Sequence, residues 1–425
     1  DIMKTIDKPV KKSKVKRFDF VKKANYFGPM KYVARLVAAI KLKGADISVK
    51  RVNMDGLKPP YFILANHASV FDMAMSMVIN YPHRTYNVVA LDGLYDFGET
   101  LMRSIGTIAK RKFIKDLALL KNMKYVVNNR KDAILMMYPE AKYSLQGATS
   151  YLPPSLGKLA KFLGVPVVVC NLRGCYVNAP QWHKIYNKNP RLEAVVTQTA
   201  TAEQVKTLSE EELQEMIVKD FVYDDFKWQK DNNVIIDRPY RATGLNRILY
   251  KCPHCGAAHK MRGEGVRLTC DACGKVWEMT PLGEMKALSG ETEFSHIPDW
   301  FEWEKKDVER RVKEGTYRFE DEVRVKTMPN AQHMYRHPNG RLIHDNTGFT
   351  FIGRVYDEDV NLHFDSKVQD GVHIEYPIKN NDYTDCVILY TLDESYYLMP
   401  VHARDVITEI SLATDAIYAL QNGKL

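Results

Sequence analysis

The most constraining feature of this 425-residue chain lies past its middle. Cys252-Pro253-His254-Cys255 is followed, after fourteen residues, by Cys270-Asp271-Ala272-Cys273, and a glycine, Gly256 or Gly274, comes after each pair. Two Cys-x-x-Cys knuckles at this spacing set four thiolates at the corners of a tetrahedron, the coordination zinc takes in structural sites. The glycines let the backbone turn back so that amides approach sulfur. Four cysteine ligands leave no open position, so the spacing predicts one structural Zn2+ in a zinc ribbon over residues 245–281, where the metal folds the module and does no chemistry. Redox pairs or disulfides are the competing reading, and no secretory signal supports them. His254 and His259 are then spare residues, and Cys170, Cys175 and Cys386 read as small buried hydrophobes. Zinc thiolates beside unpaired cysteines point to a reducing, cytoplasmic compartment.

No run of eighteen apolar residues occurs, so no transmembrane helix is expected. The chain begins with Asp1 rather than methionine, and further residues are expected upstream. Its charge is unevenly placed. Of 61 Lys and Arg and 52 Asp and Glu, residues 1–51 hold 15 and 4, which leaves 46 and 48 for the rest. Within this basic arm Met30, Val33, Leu36, Val37 and Ile40 recur at helical spacing. An apolar stripe flanked by cations is what an interfacial helix uses on an anionic membrane, each near-surface cation adding on the order of 1 kcal/mol. Residues 1–52 are therefore read as a membrane-facing amphipathic arm, against the plainer reading that the stripe packs on the core. A nucleic-acid partner is disfavoured, because no recognition motif accompanies the charge.

From residue 53 to 240 short apolar runs alternate with helical patterns, which predicts an α/β layer with a mostly parallel sheet. Strands are expected at 61–65, 86–90, 133–138, 165–171 and 191–197, and helices at 72–79, 98–105, 116–128 and 157–163. The first strand, Tyr61 to Ala65, runs into Asn66-His67-Ala68-Ser69-Val70-Phe71-Asp72. A polar residue at the end of a buried strand is held on a rigid support. A carboxylate five residues on, in the first turn of a helix, can fix the imidazole tautomer for general-base work.

Asn66-His67 with Asp72 resembles the first block of the glycerolipid acyltransferases related to bacterial lysophosphatidate acyltransferase. Gly106-Thr107-Ile108-Ala109-Lys110-Arg111-Lys112 is similar to the second block, Tyr138-Pro139-Glu140-Ala141-Lys142-Tyr143-Ser144 to the third and Val165-Pro166-Val167 to the fourth. The resemblance covers roughly residues 30 to 200. It implies transfer of a fatty acyl group from a thioester, acyl-CoA or acyl carrier protein, to the hydroxyl of a glycerol phosphate or lysophospholipid. His67 would be the general base, oriented by Asp72, with Gly106, Arg111, Lys112, Glu140, Lys142 and Tyr143 as substrate-binding residues. The block departs from the family where arginine is usual: Lys112 and Tyr143 stand there, and lysine lacks the bidentate fork of arginine. An amine acceptor, or a non-catalytic lipid-binding or membrane-tethering role on an acyltransferase shell, stays open beside the main reading. The expected location is peripheral, on the cytoplasmic face of a membrane.

After the ribbon a charged, tryptophan-bearing helical linker leads, within residues 297–425, to alternating strands and a final amphipathic helix. Pro338-Asn339-Gly340 is read as a turn between two of the strands. The pattern resembles a small β-barrel of the pleckstrin-homology or GRAM type closed by a helix, a resemblance of fold that carries no function by itself.

Overall fold

Runs such as Tyr61–Ala65 and Ala133–Met137 are apolar at every position, as strands buried on both faces of a parallel sheet must be. In the computed structural model, which describes residues 4–183, 185–377 and 384–425, both are buried throughout. The chain starts with β1 (Lys4–Ile6) and α1 (Met30–Lys41) and continues through β2 (Asp46–Val52), β3 (Tyr61–Ala65), α2 (Asp72–Ile79) and β4 (Arg84–Ala90). Then come α3 (Leu91–Phe97), α4 (Glu99–Ser104), β5 (Ile108–Lys110), α5 (Leu117–Asn129), β6 (Ala133–Met137), α6 (Leu156–Leu163) and β7 (Val167–Arg173). A short α7 (Cys175–Asn178) precedes β8 (Arg191–Ala200), α8 (Ala202–Thr207), α9 (Glu210–Asp220) and α10 (Asp225–Asp231). Helix α9 starts in a capping box, with Ser209 and Glu212 satisfying each other's backbone amides.

Strands β2 to β8 make one seven-stranded sheet in the order β2-β8-β7-β3-β6-β4-β5. Every pair in it is parallel except β7 with β8, so the α/β expectation holds. Strand β3 lies centrally between β7 and β6, which fixes its C-terminal end firmly.

The basic arm is the main departure in domain boundaries. Residues 46–52, grouped with it from composition, form β2 at the sheet edge. Further upstream, β1 pairs in parallel with a strand more than 300 residues away, Lys4 opposite His333. Arg17 reaches Glu394 at 2.5 Å and Asn330 holds the Lys16 carbonyl at 2.6 Å. The first part of the arm is thus strapped along the C-terminal domain by paired backbone and by the ion pair of Arg17 with the buried Glu394. Helix α1 behaves differently. It buries only Ala34 and Ala38, while Tyr32, Val33, Leu36, Val37 and Ile40 are 45–66% exposed. Among the described residues no helix is long and apolar enough to cross a membrane.

The ribbon is a four-stranded antiparallel sheet of β9 (Met261–Glu264), β10 (Arg267–Cys270), β11 (Val276–Met279) and β12 (Met285–Ala287). Helix α11 (Ile297–Lys313) seals it, Trp300 packing edge-on against Trp277 at 5.0 Å. The last domain contains β13 (Phe319–Thr327), β14 (His333–Asp345), β15 (Gly348–Val355), β16 (Glu358–Asp365), β17 (His373–Glu375), β18 (Cys386–Tyr390), β19 (Ser395–Pro400) and α12 (Ile407–Gln421). Its sheet runs β16-β15-β14-β13-β19-β18-β17, with β1 on β14. Among the described residues its two edge strands, β16 and β17, do not pair with each other. Pro338-Asn339-Gly340 is no turn: it lies inside β14 at a bulge, where the register against β13 shifts between Val323 and Val325. A bulge tolerates the missing proline donor, and Asn339 gives its amide to Glu322.

Candidate active site

Strand β3 is followed by Asn66, whose buried side chain is tied both ways to β7: it donates to the Leu172 carbonyl at 2.8 Å and accepts from the Leu172 amide at 2.6 Å. The next residue, His67, is therefore held on a fixed backbone. Asp72, first residue of α2 and fully buried, turns back over the loop. Its Oδ2 accepts from the amides of Ala68 at 2.6 Å and Ser69 at 2.8 Å, and lies 2.8 Å from His67 Nδ1. A carboxylate gripped by two loop amides accepts from Nδ1–H, which leaves the basic lone pair on Nε2.

The imidazole is sandwiched between two tyrosines. Its ring centroid is 4.3 Å from Tyr138 and 3.9 Å from Tyr143, with interplanar angles of 24° and 28°. Burial and the nearby Asp72 charge push both phenols up, so both are neutral at physiological pH. An imidazolium between two π faces is stabilised, by roughly 0.5–2 kcal/mol per face depending on desolvation.

Glu140 lies behind the loop. It accepts from the His67 amide at 3.2 Å, from the Ser150 hydroxyl at 2.5 Å and from Tyr223 at 2.8 Å. Burial outweighs these donors and lifts its carboxyl to about 7. The Ser144 amide meanwhile donates to the His67 carbonyl at 2.7 Å. The third sequence block thus clamps the backbone of the first.

A cavity of about 240 Å³ opens beside His67. Val70, Met73, Val89, Phe97, Met102 and Met137 give it an apolar reach, while Lys110, Lys112 and Lys142 stand with Asp92, Asp96 and Glu375 around its polar part. Residues 373–376, on and after β17, form one wall, so the C-terminal domain completes the cavity. Sequence reading did not single out Lys110, Asp92, His373 or Glu375. The last two come from a strand about 300 residues beyond His67, and no local pattern marks them.

The expected substrate-binding residues divide in two. Lys112, Lys142 and Tyr143 line the cavity with His67. Arg111 does not: its guanidinium donates to the carbonyls of Leu392, Pro329 and Asp393, because the C-terminal domain covers that side of β5. Glu140 also faces away, into the clamp described above. Gly106 is a turn residue with φ +78°, where a Cβ would come within 2.8 Å of Tyr26 and Tyr86, so close packing accounts for it.

The four predicted cysteines converge, their sulfur atoms all within 4.8 Å of one another. The Cys252–Cys273 and Cys255–Cys270 separations are 3.9 and 3.8 Å. A tetrahedron with Zn–S bonds of about 2.3 Å has edges of about 3.8 Å, so the set fits zinc. Gly256 and Gly274 close the knuckles with positive φ, each donating its amide to the first cysteine's carbonyl. Of the spare histidines, His259 bonds Glu409 of α12 at 2.5 Å and ties ribbon to C-terminal domain. Asp92, His373 and Glu375 form a second cluster, but the Lys112 ammonium already sits 3.0 Å from His373 Nε2 and serves as its cation.

Fold and site together define an α/β domain that presents a histidine–aspartate pair from the end of a central strand into a cavity with an apolar reach. Residues 40–173 match the family model described as Acyltransferase. Among solved structures it is similar to the 1-acyl-sn-glycerophosphate (LPA) acyltransferase PlsC from Thermotoga maritima, at 14% identity and a TM-score of 0.34, over 45% of this chain and 74% of that one. No match is found among curated proteins.

Proposed function

We propose that the protein moves a fatty acyl group from a thioester, of coenzyme A or acyl carrier protein, to the hydroxyl of a glycerol phosphate or lysophospholipid acceptor. The observation that carries this is the 2.8 Å contact of His67 Nδ1 with a buried Asp72, at the mouth of a partly apolar cavity in an acyltransferase-family domain. His67 Nε2 takes the acceptor's hydroxyl proton as its oxygen bonds to the thioester carbonyl carbon. When the C–S bond breaks, the imidazolium returns that proton to the departing thiolate. Asp72 orients the ring and stabilises the imidazolium between Tyr138 and Tyr143.

The exposed face of α1, with the arm's excess of cations, supports a peripheral position on an anionic, cytoplasmic membrane surface, where acyl chains are met. Zinc held by Cys252, Cys255, Cys270 and Cys273 supplies fold to the ribbon and no open coordination position for chemistry.

The test is release of free thiol from acyl-CoA and from acyl carrier protein thioesters in the presence of glycerol 3-phosphate, lysophosphatidate, other lysophospholipids and amino acids, for wild type and His67→Ala. Acceptor-dependent release lost in the variant is expected. Equal release by both proteins would exclude His67 as the base.

A further inference from the structure

Three lysines line the cavity beside His67, and two of them are committed. Lys112 Nζ lies 3.0 Å from His373 Nε2, in the company of Asp92 and Glu375. Lys142 Nζ is held by Asp415 at 2.9 Å and Ser411 at 3.1 Å, both on α12. Arg111 spends its donors on carbonyls outside the cavity. Lys110, the last residue of β5, lines the cavity as well, and no hydrogen bond or ion pair among the described residues holds it.

The charged groups that face Lys110 are few. Lys112 follows on its own segment and repels it, while Asp116 at the start of α5 and Asp370 before β17 attract it without closing an ion pair. Burial first, and Lys112 second, lower its ammonium to about 8. The fold thus keeps a half-buried cation in the cavity that holds the histidine, with no ion-paired carboxylate among the described residues, an arrangement that an incoming anion relieves. Asp92, Asp96 and Glu375 share the cavity, so its lysines and carboxylates balance and a headgroup with one anionic group suits it better than one with several.

We propose that Lys110 binds the anionic group of the acceptor, a phosphate monoester or a carboxylate, within hydrogen-bonding reach of the cavity that holds His67. This rests on the reading of that cavity as the acyl-acceptor site. Lys110 is then the specificity-determining cation, and Lys112, Lys142 and Arg111 hold the C-terminal domain against the acyltransferase domain.

The experiment is direct binding by calorimetry to the full-length, zinc-loaded protein, with glycerol 3-phosphate as the phosphate probe and serine as the carboxylate probe. Wild type, Lys110→Gln, Lys110→Arg and Lys112→Gln are compared at pH 7 and 9.5. At least a tenfold weakening in Lys110→Gln at pH 7 is expected for whichever probe binds, with Lys110→Arg close to wild type. Raising the pH through 8 deprotonates lysine, so wild type loses affinity at pH 9.5 and Lys110→Arg keeps it. Removing a desolvated charge spares the fold, and Lys110→Met provides a second neutral variant. Binding by Lys110→Gln within twofold of wild type, an equal alkaline loss in Lys110→Arg, or no binding of either probe to wild type overturns the proposal. These readouts need no turnover: anion binding without thiol release sinks the transferase reading alone, and release that ignores Lys110→Gln sinks this one alone.

Discussion

Replacing Asp72 by asparagine removes one charge and one acceptor from the pair at the heart of the proposed chemistry. In the wild type Oδ2 takes three donors, from His67 Nδ1, Ala68 and Ser69. An asparagine whose oxygen takes the place of Oδ2 keeps all three donors, so the turn and the tautomer persist and the charge alone is lost. The lost attraction can be sized. With the charges spread over ring and carboxylate, their centres lie about 4 Å apart, and at an effective dielectric of 20 the imidazolium–carboxylate term is about 4 kcal/mol. At 1.36 kcal/mol per decade this is about a 10³-fold fall in kcat, with the acceptor KM little changed because the pair acts on the transition state. Single-turnover thiol release against a saturating acceptor measures it, after circular dichroism and zinc content have shown the variant folded. A fall of less than tenfold, or an effect confined to KM, would refute the assignment of Asp72 as the partner that stabilises the imidazolium.

Tyr143→Leu removes one face of the aromatic sandwich and is expected to lower kcat about 5–10-fold, while Tyr143→Phe, which keeps the π face, stays near wild type; steady-state kinetics of the two variants decide. Glu140, at about 7 against an ordinary 4.5, binds a proton more tightly folded than unfolded, so the stability it contributes is complete below about 4.5 and is lost as pH rises through 7. Glu140→Gln abolishes that titration, and urea melts of both proteins should show the variant gaining about 3 kcal/mol relative to wild type between pH 4.5 and 8; a pH-independent difference disproves it. Stripping zinc with a chelator, or Cys255→Ser, should release Trp277 from its buried contact with Trp300 and shift its fluorescence to the red, whereas an unchanged spectrum argues against a folding role for the metal. Leu36→Glu with Ile40→Glu places two charges on the outward face of α1 and should abolish sedimentation with anionic vesicles; retention on vesicles removes that face from the membrane reading.

What the sequence made visible follows from range. His67 and Asp72 are five residues apart at a strand–helix junction, so local geometry alone brings them together, and the cysteine knuckles are likewise self-sufficient hairpin turns. The central strands were legible because burial on both faces leaves an unbroken apolar run. Three things were not legible. Strand β2, with its polar residues exposed at a sheet edge, carries no apolar run and so merged with the basic arm. Arg111 has the right chemistry for a headgroup, yet carbonyls of a domain lying more than two hundred residues downstream engage both its terminal nitrogens. Pro338-Asn339-Gly340 has turn composition, and only its neighbours in the sheet decide that it forms a bulge. Lys110 went unnoticed because its importance lies in what its neighbours bond instead of it, which composition does not record.

The pairing of β1 with β14 sets an order of events during synthesis. Lys4 meets His333, so the first residues of the arm have no strand to pair with until roughly 330 more residues have been made. At about 5–20 residues per second that delay is on the order of 15–65 s. Throughout it residues 4–17 trail as an untethered basic tail, while α1 can already pack on α2. Closing the last domain then reels the tail in like a drawstring. The wall that residues 373–376 give the cavity is set over the same interval, and a chain truncated ahead of β14 would leave that tail permanently loose.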